Sequence, residues 1–134
     1  MKMKQEDDSM PQISLKISHN IDPTPINFTE LFEAIYAELA KIPNLDIKTC
    51  HGGIIQEIFS YIGFANQKAT KVFLEILWLE DPQRALLKKD LAKKLMTVLE
   101  KNLVPQIEAQ HLICIPRVRI GNLGVLDQDY HISA

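Results

Sequence analysis

Cysteine is scarce in this chain, with Cys50 and Cys114 the only two. A disulfide-stapled secreted domain needs more, so a reducing, cytoplasmic setting is expected. No apolar run approaches the roughly 20 residues that cross a bilayer. The lysines at 2 and 4 are not followed by the apolar stretch of a secretory signal. Charge of one sign is not in excess either. The formal net charge is -2, which gives no electrostatic case for a nucleic-acid or membrane-surface partner. Several chemical signatures are missing as well. Cys50-His51 and His111 with Cys114 match no zinc spacing. No metal or other cofactor is therefore expected, and both cysteines read as buried structural residues. Gly52-Gly53 lacks the Lys-Ser or Lys-Thr that completes a phosphate loop. There is no nucleophile elbow, metalloprotease helix or nucleotide fingerprint.

What is present is a pattern of alternating periods. The 134 residues suit one domain. Residues 1–9 are charged and nearly free of apolar side chains, so they read as a disordered leader or a mis-assigned start, with the domain occupying 10–134. Ile13, Leu15 and Ile17 alternate with Ser14, Lys16 and Ser18, the mark of a half-buried strand. A proline-containing loop over 19–26 follows. Asn27, three residues before Glu30, then caps a helix with an apolar face of Phe28, Leu31, Phe32, Ile35, Leu39 and Ile42, which Pro43 ends. One or two strands are expected within 45–62.

The order then repeats. Residues 71–79 are nearly all apolar, as in a strand buried on both faces. Asp81-Pro82 starts a second helix whose apolar face is Leu87, Leu91, Leu95, Val98 and Leu99. Leu112 to Ile115 reads as a further short strand, and the tail from Arg117, with a turn at Gly121–Gly124, as a terminal hairpin. The expected architecture is α+β: tandem β-α-β units, with two helices on one face of a mixed sheet of four or more strands. The other sheet face is left bare, and apolar side chains on it would call for an oligomer.

Against this background Met10-Pro11 opens the first strand, Pro25 and Phe28 lead into the first helix, and Lys41 stands at its end before Pro43. Asn122-Leu123-Gly124 follows in the tail. In this order the chain from Met10 resembles the tautomerase superfamily, most of all its macrophage migration inhibitory factor branch. The segments FLEILWL (73–79), HLICIPR (111–117) and LDQDYHI (126–132) resemble a poorly characterised bacterial subgroup of it. The resemblance implies a homotrimer whose sheets form a central barrel, with active sites between subunits. It implies Pro11 as the catalytic residue and Lys41 as a contact for an anionic substrate. Leu112 and Cys114 stand where the best-known member lines its pocket with tyrosine and asparagine. That subgroup favours an arginine soon after its Trp-containing strand, a place to which Arg84 is a shifted match.

The chemistry behind Pro11 is that of a secondary amine. Near cations and partly desolvated, such an amine loses affinity for its proton and acts as a general base near neutral pH. Within a peptide bond it has no basicity, so the chemistry requires that residues 1–10 be absent. The codons open to Gln5-Glu6-Asp7 include the purine run AGGAGG, the form of a bacterial ribosome-binding site, shortly before Met10. Arg117 and Arg119 alternate along the tail and suit either a bound carboxylate or pairing with Asp127 or Asp129. Two functions are open. One is an isomerase moving a proton between carbon and oxygen of a small anionic keto-enol ligand. The other is a non-catalytic trimeric binding or structural module, which the leader and the altered pocket residues favour.

Overall fold

The structure, a computed structural model, describes residues 11–123. The expected leader, Met10, and the tail with Asp127 and Asp129 lie outside the described residues. The chain runs β1 (Gln12–Ile17), α1 (Phe28–Leu39), a 3-10 turn (Ile47–Thr49), β2 (His51–Gln56), β3 (Val72–Trp78), α2 (Pro82–Asn102), α3 (Val104–Glu108) and β4 (Arg117–Asn122). The strands form one sheet in the order β2-β1-β3-β4. β1 is parallel to β2 and β3 to β4, while β1 and β3 pair antiparallel at the centre. The result is two β-α-β units joined along their first strands, an α+β fold with a mixed four-stranded sheet.

Local chemistry sets the helix starts. The Asn27 side chain accepts from the Glu30 N–H at 3.0 Å, and Asp81 accepts from the Arg84 N–H at 2.8 Å. Each satisfies one of the donors a helix start leaves open. α1 stops at Leu39, short of the expected Ile42, because Pro43 offers no N–H and disfavours helix in the residue before it. α2 stops at Asn102 for a related reason. Pro105 cannot donate to the Lys101 carbonyl, and the chain re-enters the short α3 to bury Ile107.

The core lies between the helices and one sheet face. Ile13, Leu15 and Ile17 of β1 meet Val72, Leu74, Ile76 and Trp78 of β3, and Leu31, Ile35, Leu39, Leu91, Leu95 and Leu99 cover them. The alternation in β1 holds through Ile17, but Ser18, expected on the wet side, is fully buried, its hydroxyl donating to Asn20 Oδ1 and accepting from the Lys71 N–H.

Three further expectations are corrected. Residues 72–78 are buried on one face, with Phe73, Glu75 and Leu77 half-buried on the other. No layer covers that face among the described residues, and polar side chains occupy much of it. By register it carries Ser14, Lys16, Glu75, Arg117 and Arg119 beside Ile55, Phe73 and Leu77. Arg119 pairs with Glu75 and the Arg117 guanidinium lies 5.7 Å from the Phe73 ring centre, so this face has its own polar cover.

Residues 112–115 form no strand. Ile113 makes one isolated bridge to Ala69, and Pro116 lacks the donor that would extend it, so pairing with β3 begins only at Arg117. Gly121 and Asn122 belong to β4 rather than to a turn. A Cβ on Gly121 would lie 2.9 Å from Arg119 Nη1 and 3.0 Å from Leu77 Cδ2, so the glycine makes room within a strand. Of the one or two strands expected within 45–62 one forms, β2, and Gly52-Gly53 sits inside it.

Leu74 is fully buried in the central strand, whereas Leu86 is 83% exposed on α2. Leu74→Ala is expected to lower unfolding free energy by about 2–5 kcal/mol. Leu86→Ala is expected to change it by no more than about 0.5 kcal/mol. Urea denaturation of both variants checks the assignment of inside and outside.

Candidate functional site

Pro11 sits where β1 begins and is buried. Its carbonyl accepts from the His51 N–H at 3.1 Å, which ties it to the start of β2. The register brings the ends of β3 and β4 to the same edge, since Gln12 stands opposite Leu77 and Leu77 opposite Gly121. This end of the sheet therefore gathers Pro11, Cys50, Trp78, Leu79 and Asn122. The loop after α1 and the first turn of α2 close over it.

Arg84 is the cation of this end. It is 5% exposed, donating from Nη1 to the Leu79 carbonyl at 2.7 Å and from Nη2 to the Asn44 carbonyl at 2.9 Å. Its guanidinium carbon lies 5.7 Å from the Trp78 ring centre, within cation–π range. These contacts staple the loop before β2 to the turn after β3. Trp78 is 1% exposed and its indole N–H has no hydrogen-bond partner among the described residues. Tyr36 reaches from α1 to donate to the Cys50 carbonyl at 3.2 Å. Burial pushes the Cys50 thiol up to about 11, Asp46 adds to the rise, and Arg84 opposes it.

The other anticipated residues are spread out. Lys41 is exposed in the turn after α1 and pairs with Glu38 at 3.4 Å. It lines a cavity of about 270 Å³ between α1 and α2, with Gln83, Leu87 and Lys94. Pro11 does not line this cavity. Arg117 and Arg119 lie on the open sheet face, engaged with Phe73 and Glu75. Cys114 is buried just before β4, at the opposite end of the sheet from Pro11. Strands of this length separate the two ends by roughly 20 Å. Burial pushes the Cys114 thiol up to about 11 as well, opposed by a hydrogen bond with Thr70. A single chain therefore does not bring Pro11 and Cys114 together. Both cysteines are free thiols. Among the described residues, no group of three or more His, Cys, Asp or Glu is placed to hold a metal ion, and no helix is long and apolar enough to cross a membrane.

Sequence reasoning missed one feature. A groove of about 490 Å³ runs between α1 and the edge strand β2, lined by Phe28, Phe32, Tyr36, Gly52 and Ile54. The adjacent glycines in a strand were its signal, since strand glycines mark close approach of another group. A Cβ on Gly52 would lie 2.8 Å from Phe32 Cε2.

No protein-family model matches this sequence, and no curated protein does. Solved structures do match. A 5-carboxymethyl-2-hydroxymuconate isomerase from Deinococcus radiodurans R1 superposes with a TM-score of 0.72 at 14% identity, over 94% of this chain and 90% of its own. A 5-carboxymethyl-2-hydroxymuconate delta-isomerase gives 0.71 at 10% identity, over 96% and 90%. The fold is tautomerase-like. A macrophage migration inhibitory factor from Trichinella spiralis lies further off, with a TM-score of 0.55 at 18% identity over 84% of this chain and 88% of its own. At such identities the likeness is one of fold, and a tautomerase-like fold does not by itself fix an activity.

With folded-state thiols near 11 and free cysteine near 8.5, native protein holds these protons more tightly than unfolded chain. The thiol contribution to stability is therefore full below about pH 8.5 and is lost as pH rises towards 11. Urea midpoints at pH 7.5 and pH 10 are expected to show a loss at the higher pH that shrinks in the Cys50→Ser, Cys114→Ser double variant. An undiminished loss would place the titrating groups elsewhere.

Proposed function

We propose that this chain is a tautomerase-like isomerase of small keto-enol carboxylates, in which Pro11 is the general base once its nitrogen is a free amine. The observation that carries the reading is the position of Pro11, which opens the central strand at the sheet end that holds the buried Arg84 cation. A nearby cation disfavours the ammonium form of a secondary amine and brings its pKa towards neutrality. The two similar isomerases named above act on a hydroxymuconate, an enolic carboxylate, and lend the substrate class. In the forward step the Pro11 nitrogen takes the enol O–H proton. The electron pair left on oxygen forms the carbonyl, the former enol double bond moves its electrons to carbon, and that carbon takes a proton back from Pro11. Lys41, Arg117 or Arg119 would hold the substrate carboxylate by charge-assisted hydrogen bonds.

A homotrimer belongs to the same proposal. Among the described residues β2 and β4 are the outer strands, so each leaves an unpaired edge. Joining β2 of one copy to β4 of the next repeats head to tail and closes into a ring. The free thiols suit a reducing, cytoplasmic compartment. Residues 1–9 are then a leader missing from the active form, and the domain, 10–134, loses Met10 to free the Pro11 nitrogen.

A second reading, a non-catalytic module of the same fold, is favoured by one observation. The Arg84 guanidinium donates to two backbone carbonyls, as a structural staple would. The two readings separate on a comparison of chain beginning at Pro11 with chain 1–134, using ketonisation of phenylenolpyruvate or a 2-hydroxymuconate analogue. General-base loss predicts that the longer form is slower by roughly 10²–10⁴-fold. Equal rates would remove Pro11 as base, and inactivity of both folded forms would favour the module. Intact mass of protein from its natural gene should correspond to a start at Pro11.

A further inference from the structure

The segment between β2 and β3 carries large apolar side chains outward. Ile58 is 98% exposed, Phe59 72%, Tyr61 67% and Phe64 93%. Single exposed apolar residues are ordinary, but four within seven positions make a patch that a soluble monomer rarely presents. The segment is also held in shape. Lys71 pairs with Glu57 at 2.8 Å, and the Ser60 hydroxyl donates to the same carboxylate at 2.6 Å while accepting from the His19 N–H at 3.2 Å. The His19 and Phe59 rings stack with centres 6.0 Å apart.

Phe64 stands at the tip of an unusual turn. Gly63, Phe64 and Ala65 have φ of 53°, 56° and 65°, and the Asn66 N–H closes the turn on the Ile62 carbonyl at 2.7 Å. Two non-glycine residues in succession in the left-handed region are disfavoured by contact between Cβ and backbone. Strain of this kind persists where the surrounding structure or a bound partner compensates it. Inside one chain Phe64 gains little in return, since its side chain is almost wholly in solvent.

The aromatic groove between α1 and β2 is the complementary surface. Its walls are Phe28, Phe32 and Tyr36, its floor is Gly52 and Ile54, and about 490 Å³ is enough for a phenyl ring. The groove shares no lining residue with the cavity that the arm encloses. It continues along the edge of β2, which no strand pairs among the described residues. Its charge is complementary too. Glu33 lines it and α1 holds no basic residue, while Lys68 follows the tip of the arm.

We infer that the arm spanning Ile58–Phe64 is a docking element for a second copy of this chain, seating Phe64 in that copy's groove between α1 and β2. Arm and groove are different patches of one surface, so the contact is heterologous and repeats around a ring. It supplies burial for the apolar tip and a counterpart for the strained turn. The inference rests on the trimer proposed above and names the contact that would hold it together.

Sedimentation velocity across a dilution series tests it, on full-length wild type, Phe64→Glu, Thr29→Arg and Leu86→Glu. Thr29 is an exposed residue on the groove rim, and Leu86 is an exposed apolar residue away from both patches. The expected result is a wild-type trimer that Phe64→Glu and Thr29→Arg each weaken at least tenfold, with Leu86→Glu unchanged. Circular dichroism should show all four chains folded. Should Phe64→Glu misfold, Thr29→Arg alone carries the test. A trimer that both arm and groove variants leave intact overturns the docking contact and spares the trimer. A wild-type monomer overturns both and leaves the arm for some other partner.

Discussion

The antiparallel pairing of β1 with β3 is the constraint on which the rest depends. It sets Ile13, Leu15 and Ile17 beside Ile76, Leu74 and Val72, all nearly or fully buried. Each β-α-β unit by itself would leave both long sides of its two-stranded sheet without a neighbour. Joined at this seam they present a single apolar face wide enough for both long helices. The same register decides what else can meet. It aligns Pro11 with the ends of β3 and β4, and it sends Cys114 to the opposite end. A shift of one residue would turn every buried isoleucine outward.

Close approach is the second theme. Gly52 lets α1 lie against β2, and Gly121 lets the Arg119 side chain lie along β4. In both places the missing side chain matters because its space is already taken by another. Arg84 shows the opposite case, a large charged group held inside. Burying a guanidinium is costly unless its donors are met. Here the carbonyls of Leu79 and Asn44 accept from Nη1 and Nη2, the Asp81 carboxylate lies 3.9 Å from Nε, and the Trp78 ring lies alongside. The positive charge is thereby fixed at the sheet end where Pro11 begins.

The open sheet face and the two strand edges left unpaired among the described residues bear differently on assembly. The face is furnished with its own pairs, Arg119 with Glu75 and Arg117 over Phe73, and makes no strong demand for cover. The edges, the outward arm and the aromatic groove make a stronger one, because backbone donors and exposed aromatic rings both gain from burial.

Much of the fold was legible in residue spacing. Alternation at 13–17 marked β1, Asn27 and Asp81 marked the helix starts, and the repeated order marked the paired units. These signals are local, carried by dihedral preference and by which neighbours share a face. Pro11 and Arg84 were legible as candidates, but the buried, carbonyl-bound state of Arg84 was not. The strand expected at 112–115, the turn expected at Gly121 and the unnoticed groove share one cause. A short apolar run reads as a strand whether or not a partner is within reach, and Pro116 withheld the pairing. A glycine reads as a turn unless one knows that Arg119 and Leu77 fill the space its side chain would take. The sequence by itself determined the elements, their order and the inward faces, because each is set by residues a few positions apart. Only the tertiary structure decided which strands became edges, which end of the sheet received each candidate residue, and where glycine opened a groove, because each depends on groups tens of residues away.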